Sequence, residues 1–253
     1  MTGVFVLYGK QGSLKTSITT TWPGLVRLYD FDLGAHRAWG IEKLMATNVV
    51  EVVKIRMPEK SLTSRHESMQ GYSEAWMRFL ELYLADCRSP AVKTIVLDTA
   101  TVLWTLIQDA YLQEIQWAKP DRKQLLQVEF GEPNRRMKQV VDTAKNAEKN
   151  LFLVSHESQE YATVTYMGKP LLDENGQVKS SATGKQVPEG FKAIRDFADW
   201  VLRTTLDDDE KNPGRVIPSV VVEKSARGID LMGTKLTWFD YAKFTGWLAA
   251  VQR

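Results

Sequence analysis

Cysteine is nearly absent: Cys87 is the only one in 253 residues. A lone thiol excludes an internal disulfide and any cysteine-rich metal site, and it suits a reducing, cytoplasmic setting. Long apolar runs are missing too. No stretch reaches the roughly 18 consecutive apolar residues of a membrane helix, and no basic segment precedes the first apolar run. Neither a membrane span nor a signal peptide is therefore expected. Net charge is only +2, so bulk charge argues neither for nor against a polyanionic partner, and any basic surface must be local. No internal repeat is evident. What is present is ordinary: hydrophobic residues make up 43% and charged residues 25%, the balance of a globular chain long enough to bury a sizeable core.

Short β-rich runs alternate with helical periodicity. The runs "VFVLYG" (4–9), "GLVRLYDFD" (24–32), "NVVEVVKIRM" (48–57), "VKTIVLDT" (92–99), "NLFLVSHE" (150–157) and "IPSVVVEKS" (217–225) read as strands. Near-continuous apolar runs such as "TIVL" and "LFLV" are those of strands buried on both faces of a parallel sheet. Helical spacing marks 14–22, 73–87, 134–150, 191–206 (with a possible strand at its end) and 240–251. Strands alternating with helices predict an α/β fold around a mostly parallel sheet. Two stretches break the rhythm. Residues 158–188 hold an Asn175-Gly176 turn between short extended runs and read as a protruding hairpin or loop, and the acidic 207–215 reads as a solvated turn.

Directly behind the first strand stands "YGKQGSLKTS" (8–17), close to the phosphate-loop pattern G-x-x-x-x-G-K-[ST]. Gly9, Lys15 and Thr16 fall in register. Leu14 occupies the second glycine's slot. Such a loop turns its backbone N–H groups around an anion, sets a helix behind it, and needs a lysine for the outer phosphates and a hydroxyl for magnesium. Gly9 and Gly12 supply backbone freedom; Lys10, Gln11, Ser13 and Leu14 fill the turn; Lys15 supplies the charge; Thr16 or Ser17 supplies the hydroxyl. Leucine is compatible with the slot if its dihedrals stay right-handed and its side chain points outward. A surface turn that happens to contain a lysine is the plainer alternative.

Carboxylates at other strand ends favour the loop reading. Asp98 ends an apolar strand, where such enzymes orient magnesium through water; capping the helix that begins near Thr99 is its alternative role. Asp30 and Asp32 alternate in "LYDFDLG", so both point to one side of the sheet if the strand continues. Either carboxylate could orient or deprotonate an attacking water, or serve as a turn or cap. His156 closes another buried strand, where a polar group can sense the γ-phosphate. The tryptophans, Trp76, Trp104, Trp200 and Trp247 among them, are read mostly as core.

With these motifs assembled, most of the chain resembles the RecA-like P-loop ATPases of bacteriophages, in particular the Sak-type group associated with single-strand annealing and recombination. "FVLYGKQGSLKTS" resembles that family's phosphate loop, "LYDFDLG" its acidic strand end with Asp32 in the place of a glutamate, and "TIVLDTATVLW" its Walker B strand. "NLFLVSHES" resembles the sensor strand, and "VVEKSARG" the final basic motif. The resemblance implies one RecA-like ATPase domain over 1–253, with ATP and Mg2+ as ligands. Asp32, Lys15 and His156 would be catalytic, and Lys224 and Arg227 would reach a neighbouring subunit's nucleotide in a homo-oligomer. It also implies single-stranded DNA as partner, met by the loops 108–133 and 158–188. The second loop carries Lys169, Lys179, Lys185, Tyr161 and Tyr166, cations for phosphates and rings for base stacking. A host-cell cytoplasmic location follows if the chain is phage-encoded. Two other readings stay open: a nucleotide-binding assembly protein with little or no hydrolysis, motivated by Leu14, and a small P-loop kinase, disfavoured because no arginine-rich lid is found.

Overall fold

The computed structural model describes residues 2–47, 49–58, 70–166, 169–171, 178–209, 212, 214, 216–228 and 231–251. Strands β1 (Val4–Gly9), β2 (Leu25–Asp30), β3 (Val50–Lys54) and β4 (Val92–Asp98) are separated by helices α1 (Lys15–Thr19), α2 (Ile41–Ala46) and α3 (Tyr72–Arg88). Helices α4 (Ala100–Ala118) and α5 (Gly131–Asn146) follow, then β5 (Asn150–Thr163). Strands β6 (Thr165–Tyr166) and β7 (Lys169–Pro170) form a small pair of their own, and β8 (Ser180–Pro188) returns antiparallel along the outer half of β5. Helix α6 (Ile194–Phe197), strands β9 (Trp200–Asp208), β10 (Val216–Ser225) and β11 (Lys235–Thr237), and helix α7 (Tyr241–Val251) come last.

The main sheet runs in the order β11-β10-β9-β1-β5-β4-β2-β3. From β9 to β3 all pairings are parallel, while β10 and β11 are antiparallel additions at one edge. Side chains alternate across it, as the strand period requires. Val4, Val6, Tyr8, Ile95, Leu97, Leu151 and Leu153 face a core built with α3, α4 and α5. Phe5, Leu7, Val26, Leu28, Val96, Phe152 and Val154 face Ile18, Trp22 and the α7 residues Phe244 and Leu248. Helices thus cover both faces, which is why the central strands read as continuous apolar runs. The interposition of β5 between the strand ending at Gly9 and the strand ending at Asp98 matches a RecA-like P-loop core.

Several expectations need correction. The helix expected over 191–206 shrinks to the four residues of α6, while the possible strand at its end is the longer element, β9 over Trp200–Asp208. Pairing with β1 on one side and β10 on the other buries Trp200, Val201 and Leu202, and that burial overrides local helical spacing. The loop expected over 108–133 is largely helical. α4 continues to Ala118 and is capped at its start by Thr99, whose hydroxyl accepts from the Val102 N–H at 3.2 Å. Helix α1 covers only Lys15–Thr19 of the expected 14–22. Strand β2 ends at Asp30, so Asp32 lies beyond it and strand alternation does not align the two acids. The protruding hairpin is present as the β5–β8 arm, while its expected Asn175-Gly176 turn lies outside the described residues, as do Asn48 and parts of the 207–215 turn.

Candidate functional site

The parallel strands deliver the predicted residues to one edge because their ends stand in register. Gly9 pairs with His156, Asp98 pairs with Val154 one step across, and Asp30 pairs with Asp98. A cleft of about 310 Å³ opens over that edge, lined by Gln11 through Ser17, Asp32, Gly34, Arg37, Ala38, Asp98, Thr99 and His156.

The loop is held from beneath. Gly9 passes so close to β9 that a Cβ there would stand 2.6 Å from the Thr204 carbonyl oxygen and 2.2 Å from its hydroxyl. The Thr204 and Ser13 hydroxyls share a 2.6 Å hydrogen bond, and Ser13 Oγ donates to the Lys10 carbonyl at 2.7 Å. Gly12 has φ 79 and Leu14 has φ 62 and ψ 20, both left-handed. The right-handed backbone expected for Leu14 is therefore incorrect. The leucine adopts the conformation for which the pattern's glycine is suited, and the residue, 38% exposed, is among those lining the cleft.

Lys15 is buried and its Nζ donates to the carbonyls of Gly9 and Lys10 at 2.9 and 2.7 Å. Burial lowers its pKa, and the negative charges of Asp98, Glu157 and Asp32 oppose that. Thr16 Oγ1 donates to Asp98 Oδ2 at 2.5 Å. Burial is the main reason the Asp98 carboxyl is pushed up to about 6; Thr16 and Lys15 pull it down, and Asp32 and Asp30 push it further up. The Thr16 and Asp98 oxygens fit magnesium, a hard cation that is commonly held by one or two carboxylates with phosphate oxygens and water in the remaining positions. Among the described residues no group of three or more His, Cys, Asp or Glu is placed to hold a metal unaided. Ser17 is turned to a different partner, its Oγ accepting from the Trp39 N–H at 2.9 Å, whereas Thr16 is the hydroxyl that stands against Asp98.

The two acids of "DFD" separate in role. Asp30 is buried, and its carboxylate accepts from the backbone N–H groups of Gly34 and Ala35 at 2.9 and 3.1 Å. It fixes the short 3-10 turn Ala35–Arg37. Asp32 is exposed to the cleft and accepts from the Gly34 N–H at 2.9 Å. Sequence reasoning missed Arg37, which the same turn carries into the cleft; its nearness to the acid pair in "DFDLGAHR" was the available signal. Glu157, facing Lys15, was missed as well.

Four predicted residues are not among those lining the cleft: Gly9 and Lys10, whose carbonyls hold Lys15, and Lys224 and Arg227. β10 runs antiparallel, and Lys224 pairs with Val201 at the beginning of β9, so it lies toward the sheet edge opposite the loop. Its Nζ donates to the carbonyls of Arg195 and Asp196 at 2.7 and 3.2 Å. Arg227, just beyond, is exposed.

Residues 3–226 match the family described as an AAA domain. Among solved structures, a KaiC-like protein from the hyperthermophilic archaeon Pyrococcus horikoshii is similar at 11% identity and a TM-score of 0.45, over 93% of this chain and 84% of that one. No curated protein matches.

Proposed function

The chain belongs to the AAA-domain family, a P-loop ATPase family, and from that premise we propose that it binds Mg2+·ATP and hydrolyses it while engaging single-stranded DNA. The observation that carries the reading is the convergence of the loop, the Thr16–Asp98 pair and Asp32 on one cleft. ATP's phosphates would lie in the turn of Gly9–Ser17. Lys15 would exchange its two carbonyl partners for the β- and γ-phosphates. Thr16 and Asp98 would hold magnesium, which offsets phosphate charge when bound. Asp32, exposed at the cleft, would orient the attacking water and accept its proton, and His156, the last residue of β5 paired with β1, would sense the terminal phosphate.

The β5–β8 arm supports a nucleic-acid partner. β5 begins in the central sheet and leaves it past His156, so the arm is a direct extension of the proposed sensor strand. Tyr161, 66% exposed, with exposed Lys179 and Lys185 gives a ring for stacking and cations for phosphates; the side chains of Tyr166 and Lys169 lie outside the described residues. A role in phage strand annealing or recombination, and assembly into a homo-oligomer with Lys224 and Arg227 reaching a neighbour's nucleotide, extend the same proposal. The alternative, a nucleotide-binding assembly protein with little or no hydrolysis, would bind in the same loop and is separated by the absence of phosphate release.

Phosphate release by the wild type, with and without single-stranded DNA, tests the proposal, with Lys15→Ala as the control that should lose nucleotide binding and keep its fold. Release stimulated by DNA is the expected result. Nucleotide affinity unchanged in Lys15→Ala would remove the site, and release indifferent to DNA together with no DNA binding would remove the partner.

A further inference from the structure

Arg37 is the one strong cation in the cleft that the loop pattern does not account for. It is held there by structure on both sides. Upstream, Asp30 accepts from Gly34 and Ala35 and anchors the turn to the end of β2. Downstream, the Trp39 N–H donates to Ser17 Oγ on α1. The five-residue span between these anchors has little freedom, and Arg37 N closes the turn on the Gly34 carbonyl at 3.0 Å. The guanidinium then lies over Gly34. A Cβ built on that glycine would stand 2.3 Å from Arg37 Nη2 and 2.8 Å from Asp32 Oδ1. The guanidinium and the Asp32 carboxylate are therefore neighbours across the glycine, yet no ion pair joins them. A cation beside a carboxylate but not paired with it, in a cleft lined by Lys15 and Asp98, remains available to a ligand anion.

We infer that Arg37 is a catalytic residue acting in cis, a guanidinium that contacts the terminal phosphate of the nucleotide bound to its own subunit. This rests on the hydrolytic reading of the site. In that step the water oxygen bonds to the terminal phosphorus while the bond from that phosphorus to the β–γ bridging oxygen breaks. The bridging electron pair stays on the diphosphate, and the water's proton passes to Asp32 before release, giving ADP, phosphate and a proton. Charge spreads over the equatorial oxygens and the leaving oxygen as this proceeds, and a planar donor fork placed beside the water-orienting acid stabilises it. The position is distinct from that of Lys224 and Arg227, which only a neighbouring subunit's nucleotide could meet.

The test compares Arg37→Ala and Arg37→Lys with wild type in steady-state hydrolysis, in binding of a fluorescent ATP analogue, and in binding of ADP with aluminium fluoride, which imitates the phosphate in transfer. Arg37→Ala should lower kcat by about 100-fold or more. It should weaken the ADP–aluminium fluoride complex in parallel, and change ATP affinity far less. Arg37→Lys should recover part of kcat, because it returns the charge without the fork. Mixing Arg37→Ala with Lys15→Ala subunits should restore no activity, since both changes damage the same site. A raised KM with kcat unchanged would overturn the role, and restored activity on mixing would overturn its cis character. Circular dichroism and urea unfolding check that both variants fold; if Arg37→Ala does not, Arg37→Lys and Arg37→Gln, the second removing the charge while keeping a polar side chain in place, supply the same comparison. A wild type that binds nucleotide without turning it over would sink the proposed hydrolysis and this role with it. A wild type that turns over as fast as Arg37→Ala would sink this role alone.

Discussion

At Leu14 the order of glycine and alanine should be inverted. In a right-handed helical position alanine is the more stable of the two by about 0.8–1.0 kcal/mol. Leu14 has φ 62 and ψ 20 at the start of α1, and there a residue with a Cβ meets a penalty of roughly 1–2 kcal/mol that glycine escapes. Glycine also gives its unfolded chain more freedom, which costs about 0.4–1 kcal/mol. The difference leaves Leu14→Gly more stable than Leu14→Ala by about 1 kcal/mol, or some 2–4 °C in Tm for a chain of this size. Comparing these two variants removes the leucine side chain from both, so its partial packing cancels. Urea unfolding of each, without nucleotide, reads the sign directly. Leu14→Gly should also bind ATP at least as tightly as wild type, because glycine takes the left-handed turn without strain and removes a side chain from a residue lining the cleft. Alanine more stable than glycine would show that the loop is right-handed at this position. A large loss of ATP affinity in a folded Leu14→Gly would show that the leucine itself shapes the site.

Asp98 should carry a trade between stability and function. Its carboxyl is raised from 3.8 to about 6, chiefly by burial. The folded form therefore holds the proton more tightly than the unfolded form, and stability falls as pH rises from about 4 through 6. Asp98→Asn should be more stable than wild type at pH 8 without nucleotide, by up to about 3 kcal/mol, with the gap closing toward pH 4; it should also lose magnesium-dependent ATP binding. A pH-independent gap in urea unfolding would refute the burial argument. Asp30→Ala, which strips the acceptor from two backbone N–H groups, should cost about 1–3 kcal/mol of stability, whereas Asp32→Asn should leave stability and ATP affinity intact and slow turnover; the reverse pattern would exchange their roles. Arg227→Ala subunits should regain hydrolysis when mixed with Lys15→Ala subunits, each supplying what the other lacks, and confirmed mixed oligomers without rescue would count against a role between subunits.

What could be read in advance followed local rules. The runs "VFVLYG", "TIVLD" and "LFLVS" are apolar on both alternations because helices cover both faces of the sheet, so the buried strands and the acids or histidine at their ends were visible in order. The segment over 191–206 was misread because its fate is set from outside. Trp200–Asp208 gains ladder partners in β1 and β10 on both sides; its β-branched Val201, Thr204 and Thr205 account for the possible strand at the segment's end, but no window of its own residues contains those partners. The same holds for Ser13, whose hydroxyl meets Thr204 191 positions away. α4 is a different kind of miss: its residues carry the helical spacing, and its buried stripe of Leu103, Leu106, Ile107 and Ala110 stands in plain view.

Leu14 shows how a sequence pattern constrains a backbone. The residue in the glycine slot was judged by its own preference, which points to a right-handed turn. The loop, however, is fixed from both sides, by the close approach of Gly9 to Thr204, by Ser13 on Thr204, and by Lys15 reaching back to the Gly9 and Lys10 carbonyls. Those contacts determine the path of the chain between them, and one residue's 1–2 kcal/mol preference does not outweigh the set. An unusual residue in such a loop is therefore read better from the partners of its neighbours than from its own propensity. The same reasoning applies to Arg37, whose place over the cleft is dictated by Asp30 on one side and Ser17 on the other.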